Sequence, residues 1–98
     1  MTEGQYTQQD GRRLFEEDKA RALSELHYSM LIQWSDEDQA YLVRLPDWER
    51  AGRVLGQVTH GDSYAEALEH GLEALEALIA SAHKHHETLP EPQTFVAA

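Results

Sequence analysis

Ser63-Tyr64-Ala65-Glu66-Ala67-Leu68-Glu69-His70-Gly71-Leu72-Glu73-Ala74-Leu75-Glu76-Ala77-Leu78-Ile79-Ala80-Ser81-Ala82 decides the fold of this chain. Tyr64, Leu68, Leu72, Leu75, Ile79 and Ala82 recur at steps of three and four, the repeat of a helix that lays one apolar face on a core. Ser63 to Glu66 has the form of a capping box, in which the serine hydroxyl accepts from the Glu66 amide while the Glu66 carboxylate reaches back. The opposite side carries Glu66, Glu69, Glu73 and Glu76, again at steps of three and four, so one stripe is strongly negative. Gly71 interrupts the pattern at a cost of about 1 kcal/mol relative to alanine, which close packing against a sheet would explain.

Moving back from this helix, the period shortens to two. Tyr28, Met30, Ile32 and Trp34 alternate with Ser29, Leu31 and Gln33, as in a half-buried strand. Asp36-Glu37-Asp38 then reads as a charged turn, and Ala40 to Leu45 resumes the alternation, so a hairpin is expected. Pro46-Asp47 ends the second strand because proline cannot donate to a ladder. Trp48 to Gly52 reads as a loop, Arg53 to His60 as a third strand, and Gly61-Asp62 as the turn into the helix.

Further out, Arg12 to Leu26 has Leu14, Phe15, Ala22, Leu23 and Leu26 at helical spacing, with Asp10 as a candidate N-cap. Residues 1–10 are polar and without periodicity and read as a disordered tail. Beyond the long helix, Leu89-Pro90-Glu91-Pro92 cannot continue it, and Thr94-Phe95-Val96 is expected to add a short edge strand. The expectation is an α+β fold, with one long helix packed on a small three- to four-stranded antiparallel sheet and an N-terminal helix. It divides into a tail over 1–10, a helix over 11–26 and the main domain over 27–98.

At 98 residues, a single core is expected. Hydrophobic residues are 41% and charged residues 27% of the chain, near the average for globular domains, which argues against wholesale disorder. No cysteine is present, which removes disulfides, thiolate nucleophiles and thiolate zinc sites and fits a reducing cytoplasm. No signal-peptide pattern or membrane-length apolar run is found, so neither export nor membrane association is expected. The net charge of -10 repels a phosphate backbone and favours a basic protein partner; the alternative is acidity that serves solubility alone. From Gly61 to Ala98 seven carboxylates stand against the single Lys84.

A catalytic site is not expected. Asp36, Glu37 and Asp38 are adjacent in a turn and diverge, whereas two-metal hydrolysis needs carboxylates converging on two cations. His83 and His86 are spaced to share a helix face and a metal, but imidazoles at a helix C-terminus also interact well with its dipole, and no further ligand completes a set. His60 and His70 read as isolated, and Ser63 as a cap. No metal and no cofactor are expected.

The order of these pieces resembles the HicB antitoxin family: Ala40-Tyr41-Leu42-Val43-Arg44-Leu45-Pro46-Asp47, then Thr59-His60-Gly61-Asp62-Ser63-Tyr64-Ala65-Glu66-Ala67-Leu68, then Leu89-Pro90-Glu91-Pro92. The resemblance covers about residues 27 to 93. It implies a partial ribonuclease H-like fold without catalytic carboxylates, acting in a type II toxin-antitoxin pair. The implied partner is a HicA-like toxin, a small basic ribonuclease inhibited by occlusion. Three features depart from the family pattern. Pro46-Asp47-Trp48-Glu49-Arg50 stands where relatives have Pro-Asp-Leu-Pro-Gly. Only six residues follow Pro92, too few for a DNA-binding domain, so neither direct nucleic-acid binding nor autorepression by this chain alone is expected. The helix at 11–26 is additional.

The expected contacts to a basic partner are Glu66, Glu69, Glu73 and Glu76, with Tyr41 and Trp48 as apolar anchors. For the carboxylates the alternative is a solvated face, and for the aromatics it is core packing. The alternative function is a solitary self-associating module, a homodimer or higher oligomer built through the N-terminal helix or an open sheet edge.

Overall fold

The computed structural model describes residues 17–97. Helix α1 covers 17–24 of these, and the part of the expected helix before residue 17, its candidate cap Asp10 and the 1–10 tail lie outside the described residues. It ends in a turn at His27, which takes a left-handed backbone at φ 64°. Strand β1 (Leu31–Ser35) and strand β2 (Ala40–Arg44) form the expected hairpin, with Trp34 opposite Tyr41 and Ile32 opposite Val43. In the turn between them Ser35 Oγ donates to Asp38 and Gln39, at φ 52°, donates to the Asp36 carbonyl. The three acidic residues therefore do close the hairpin.

The segment after β2 differs from the reading as a loop. Helix α2 (Pro46–Arg50) occupies it, with Pro46 in its first turn. Proline ends the ladder, as expected, but its fixed φ also suits the first helical position, where a missing N–H costs nothing. The third strand is shorter than expected. Strand β3 (Thr59–Gly61) holds three residues, and Gly56 at φ 65° turns the chain where the alternation of Val54 and Val58 suggested continuity. Val58 still donates to the Val43 carbonyl at 2.9 Å.

Helix α3 (Tyr64–Lys84) is the long helix. Ser63 accepts from the Glu66 amide at 3.1 Å, and the Glu66 carboxylate accepts from the Asp62 amide at 2.6 Å, one residue further back than the standard box. At the other end Glu87 donates to the Ala82 carbonyl and His86 to His83, a Schellman closure with His86 left-handed at φ 56°. The described sheet has the order β1-β2-β3, antiparallel throughout, and α3 crosses one face of it.

A Cβ on Gly71 would meet the Met30 sulfur at 2.6 Å and Val43 Cγ1 at 3.0 Å, so the glycine lets the helix axis approach the sheet as expected. Because Val43 faces α3, so do Tyr41 on the same strand and their cross-strand neighbours Ile32 and Trp34. Leu31, Gln33, Leu42 and His60 take the other face. Leu45, Trp48 and Leu75 form the core, packed by Leu23, Tyr28, Met30, Val54, Val58, Leu78 and Ile79. Thr94-Phe95-Val96 does not form the expected strand: 91–97 is irregular, and Phe95 is 93% exposed.

Candidate protein-binding surface

The N-terminal half of α3 supports two patches, one on its outward side and one where it meets the sheet. One is the carboxylate stripe. Glu69 and Glu73 are exposed, while Glu66 is half-buried through its cap to Asp62. Glu76 is drawn toward α1, where its carboxylate lies 3.1 Å from Lys19 Nζ. That pair is half-exposed, worth at most about 1 kcal/mol, and partly neutralises the C-terminal end of the stripe. The stripe therefore presents most of its negative charge at Glu66, Glu69 and Glu73.

The second patch is aromatic. The Tyr41 ring lies 5.0 Å from Trp34, edge-on, and 4.3 Å from Tyr64. Trp34 is 45% and Tyr64 64% exposed, and Leu68, one turn along α3 from Tyr64, is also exposed. Together they form an apolar area at the end of the sheet where β1 closes, β2 opens and α3 begins. Tyr41 is thus at the centre of an accessible cluster. Trp34 and Tyr64 join it although the sequence reading assigned them no contact; opposition across a hairpin was legible for Trp34, but stacking across the sheet-to-helix junction was not.

Trp48 is elsewhere. It is 1% exposed, with its ring 5.5 Å from that of Tyr28 and the Arg53 guanidinium 5.5 Å over its face. The short helix α2 turns it inward, so it is a core residue and not an anchor offered to a partner. Its indole Nε1 has no hydrogen-bond partner among the described residues.

Asp47, read from the sequence only as a strand terminator, proves to be a clamp. Its side chain is buried and accepts from the Ser29 amide at 2.7 Å, from the Gln93 amide at 2.9 Å and from Arg50. Burial pushes its carboxyl upward, but the two amides and the guanidinium outweigh that and hold it below the usual carboxylate range. One carboxylate thereby ties the start of β1, α2 and the segment after Pro92 together. Tyr28 adds a hydrogen bond to the Pro90 carbonyl at 2.6 Å. Arg53 donates to the Thr88 carbonyl at 2.6 Å.

His70 is not isolated, contrary to its sequence reading. Its Nδ1 is 2.6 Å from the His60 carbonyl, which accepts from the protonated ring and raises its affinity for a proton. Partial burial opposes this, while Glu66, Glu73 and Glu69 add to it. Among the described residues no group of three or more His, Asp or Glu is arranged to hold a metal ion. His85 Nδ1 instead lies 2.8 Å from the Ser81 carbonyl at the end of α3. Among the described residues no helix is long and apolar enough to cross a membrane.

No family model matches this chain, and neither does any curated protein or solved structure.

Proposed function

We propose that this chain is an antitoxin of the HicB type, which binds a small basic ribonuclease and masks it. The observation that carries this reading is the carboxylate stripe of Glu66, Glu69 and Glu73 on the outward side of α3, with an exposed aromatic cluster of Trp34, Tyr41 and Tyr64 where the same helix meets the sheet. Such a surface suits a basic protein. Carboxylates steer and orient a cationic partner, while aromatic rings that lose their remaining exposure supply most of the contact energy. The net charge of -10 extends the attraction beyond the contact itself. The order of motifs from Ala40 to Pro92 supplies the family, and with it the partial ribonuclease H-like fold and the HicA-like nature of the partner. In this reading the chain holds its partner by occlusion, and no covalent step is involved.

The test is co-expression with a short basic protein encoded beside it in the genome, followed by purification of the pair and an RNA-cleavage assay. A stable complex in which cleavage is suppressed is expected. Replacing Glu69 and Glu73 together by lysine should weaken the complex at least tenfold and flatten its dependence on salt. Unchanged affinity would remove the stripe from the mechanism, and failure of every adjacent or HicA-like protein of the host to bind would end the antitoxin reading.

A further inference from the structure

We infer that the outer edge of β1 is a self-association site, where a second copy of this chain pairs its own β1 antiparallel and joins the two sheets into one. The inference does not depend on the antitoxin reading, although the two surfaces share Trp34.

Strand β1 is an edge strand, and among the described residues nothing pairs with its outer side. Edge strands of soluble proteins are normally guarded by charge, proline, a bulge or a covering segment. Leu31-Ile32-Gln33-Trp34-Ser35 has no charged residue and no proline, and its pairing with β2 runs without a bulge through all five positions. The two strand residues with large exposed apolar side chains both lie here, Leu31 on one face and Trp34 on the other. An edge that exposes backbone donors and acceptors between apolar groups on both faces matches another strand of the same kind.

Charge sets the direction in which the second copy pairs. The acidic turn Asp36-Glu37-Asp38 closes one end of β1, so a parallel neighbour of the same sequence would set two such turns side by side. Antiparallel pairing about a two-fold axis at Gln33 puts each turn beside the Met30 end of the other copy. The turns then stand roughly 20 Å apart at about 3.4 Å per residue, beyond the screening length of about 8 Å at physiological salt. In the same register Trp34 faces the second copy's Ile32 on the helix-bearing side of the sheet, and Leu31 faces the second copy's Ser35 on the other. Gln33 meets the second copy's Gln33. This is a closed, isologous contact that cannot propagate into a fibre.

The absence of cysteine makes the register directly testable. Residues opposed across an antiparallel pair have Cα atoms about 4.5–5.5 Å apart, within the span of a disulfide. Gln33→Cys, at an exposed position, should therefore cross-link into a covalent dimer under mild oxidation. Ser35→Cys alone should not, whereas Leu31→Cys and Ser35→Cys in one chain should. The full-length chain should sediment as a dimer at about 100 μM. Gln33→Lys, which sets two like charges on the axis, should raise the dissociation constant at least tenfold while leaving the circular dichroism unchanged. A wild-type chain that is monomeric at that concentration would overturn the inference. So would a dimer that Gln33→Lys leaves intact, or cross-linking as efficient through Ser35→Cys alone as through Gln33→Cys. If the chain's own Thr94-Phe95-Val96 covers the edge instead, the protein will be monomeric with slowly exchanging β1 amides, which also refutes it.

Discussion

Replacing Asp47 by alanine should unfold this protein at a markedly lower temperature, although the residue touches neither patch of the candidate surface. Its carboxylate is the acceptor for the Ser29 and Gln93 amides and for Arg50. A buried amide that loses its acceptor costs about 1–3 kcal/mol, but Ser29 and Gln93 are otherwise exposed and water can replace part of what is lost. The lower half of that range applies to each, or about 2–4 kcal/mol for the two. The Arg50 side chain is half-exposed, so its pair adds no more than about 1 kcal/mol. The expected loss is about 3 kcal/mol, and at about 4–8 °C per kcal/mol for a domain of this size the midpoint should fall by roughly 12–24 °C. Asp47→Asn keeps the volume and one accepting oxygen, so it should lose less.

The acid dependence supplies a second check on the same residue. Because the folded carboxyl titrates below its unfolded value of about 3.9, its contribution is present above that pH and disappears as pH falls through the folded value. The gap between wild type and Asp47→Ala should therefore be constant near neutrality and close below about pH 4. Differential scanning calorimetry from pH 3 to pH 7 measures both quantities. A variant that melts within about 4 °C of wild type at pH 7, or a gap that does not narrow in acid, would refute the clamp.

Gly71→Ala should destabilise by about 1–2 kcal/mol in urea titration even though alanine favours helix, since its methyl would press on Met30 and Val43; a gain in stability would show that Met30 can move aside. Trp48→Ala should cost about 3–5 kcal/mol and act through folding alone, so that the fraction still folded binds a partner normally by calorimetry. Tyr64→Ala should show the opposite division, with little change in melting temperature and a loss of affinity of tenfold or more. His70 holds its proton above the ordinary imidazole value, so whatever stability its charged form contributes is complete below about pH 6.5 and lost as pH rises through the folded value. Affinity for a basic partner should change the other way, strengthening as pH rises and His70 stops neutralising the glutamates around it, and His70→Gln should flatten that profile.

Tyr41 and Trp48 differ in how far local sequence pattern determines their surroundings. Both are aromatic residues in or beside the second strand, and both were candidates for contact or for core. Tyr41 was fixed on the helix-bearing face by the two-residue repeat, and its exposure follows from the position of α3, whose first turn carries Tyr64 against it instead of covering it. Trp48 depended on whether Pro46 begins a loop or a helical turn. Five residues are too few for a periodic signal, and only the packing of Leu45, Leu75 and Tyr28 decided that the indole points inward. Similarly, the stripe of Glu66, Glu69, Glu73 and Glu76 was legible as a helical repeat, while the withdrawal of Glu76 toward Lys19 joins residues 57 positions apart and leaves no trace in local spacing.

The sequence by itself determined the elements that rest on local periodicity and local hydrogen bonding. These are the long helix with its serine cap, the hairpin closed by three acidic residues, and the glycine that lets helix and sheet approach. It also determined the charge, because that needs no fold. Tertiary structure decided everything that depends on chain segments meeting: Asp47 as a clamp, His70 on a backbone carbonyl, Trp48 inside, Trp34 and Tyr64 outside, and β1 left at an edge. The physical reason is that periodicity tells which face of an element is apolar, but not how much of that face its neighbours will cover.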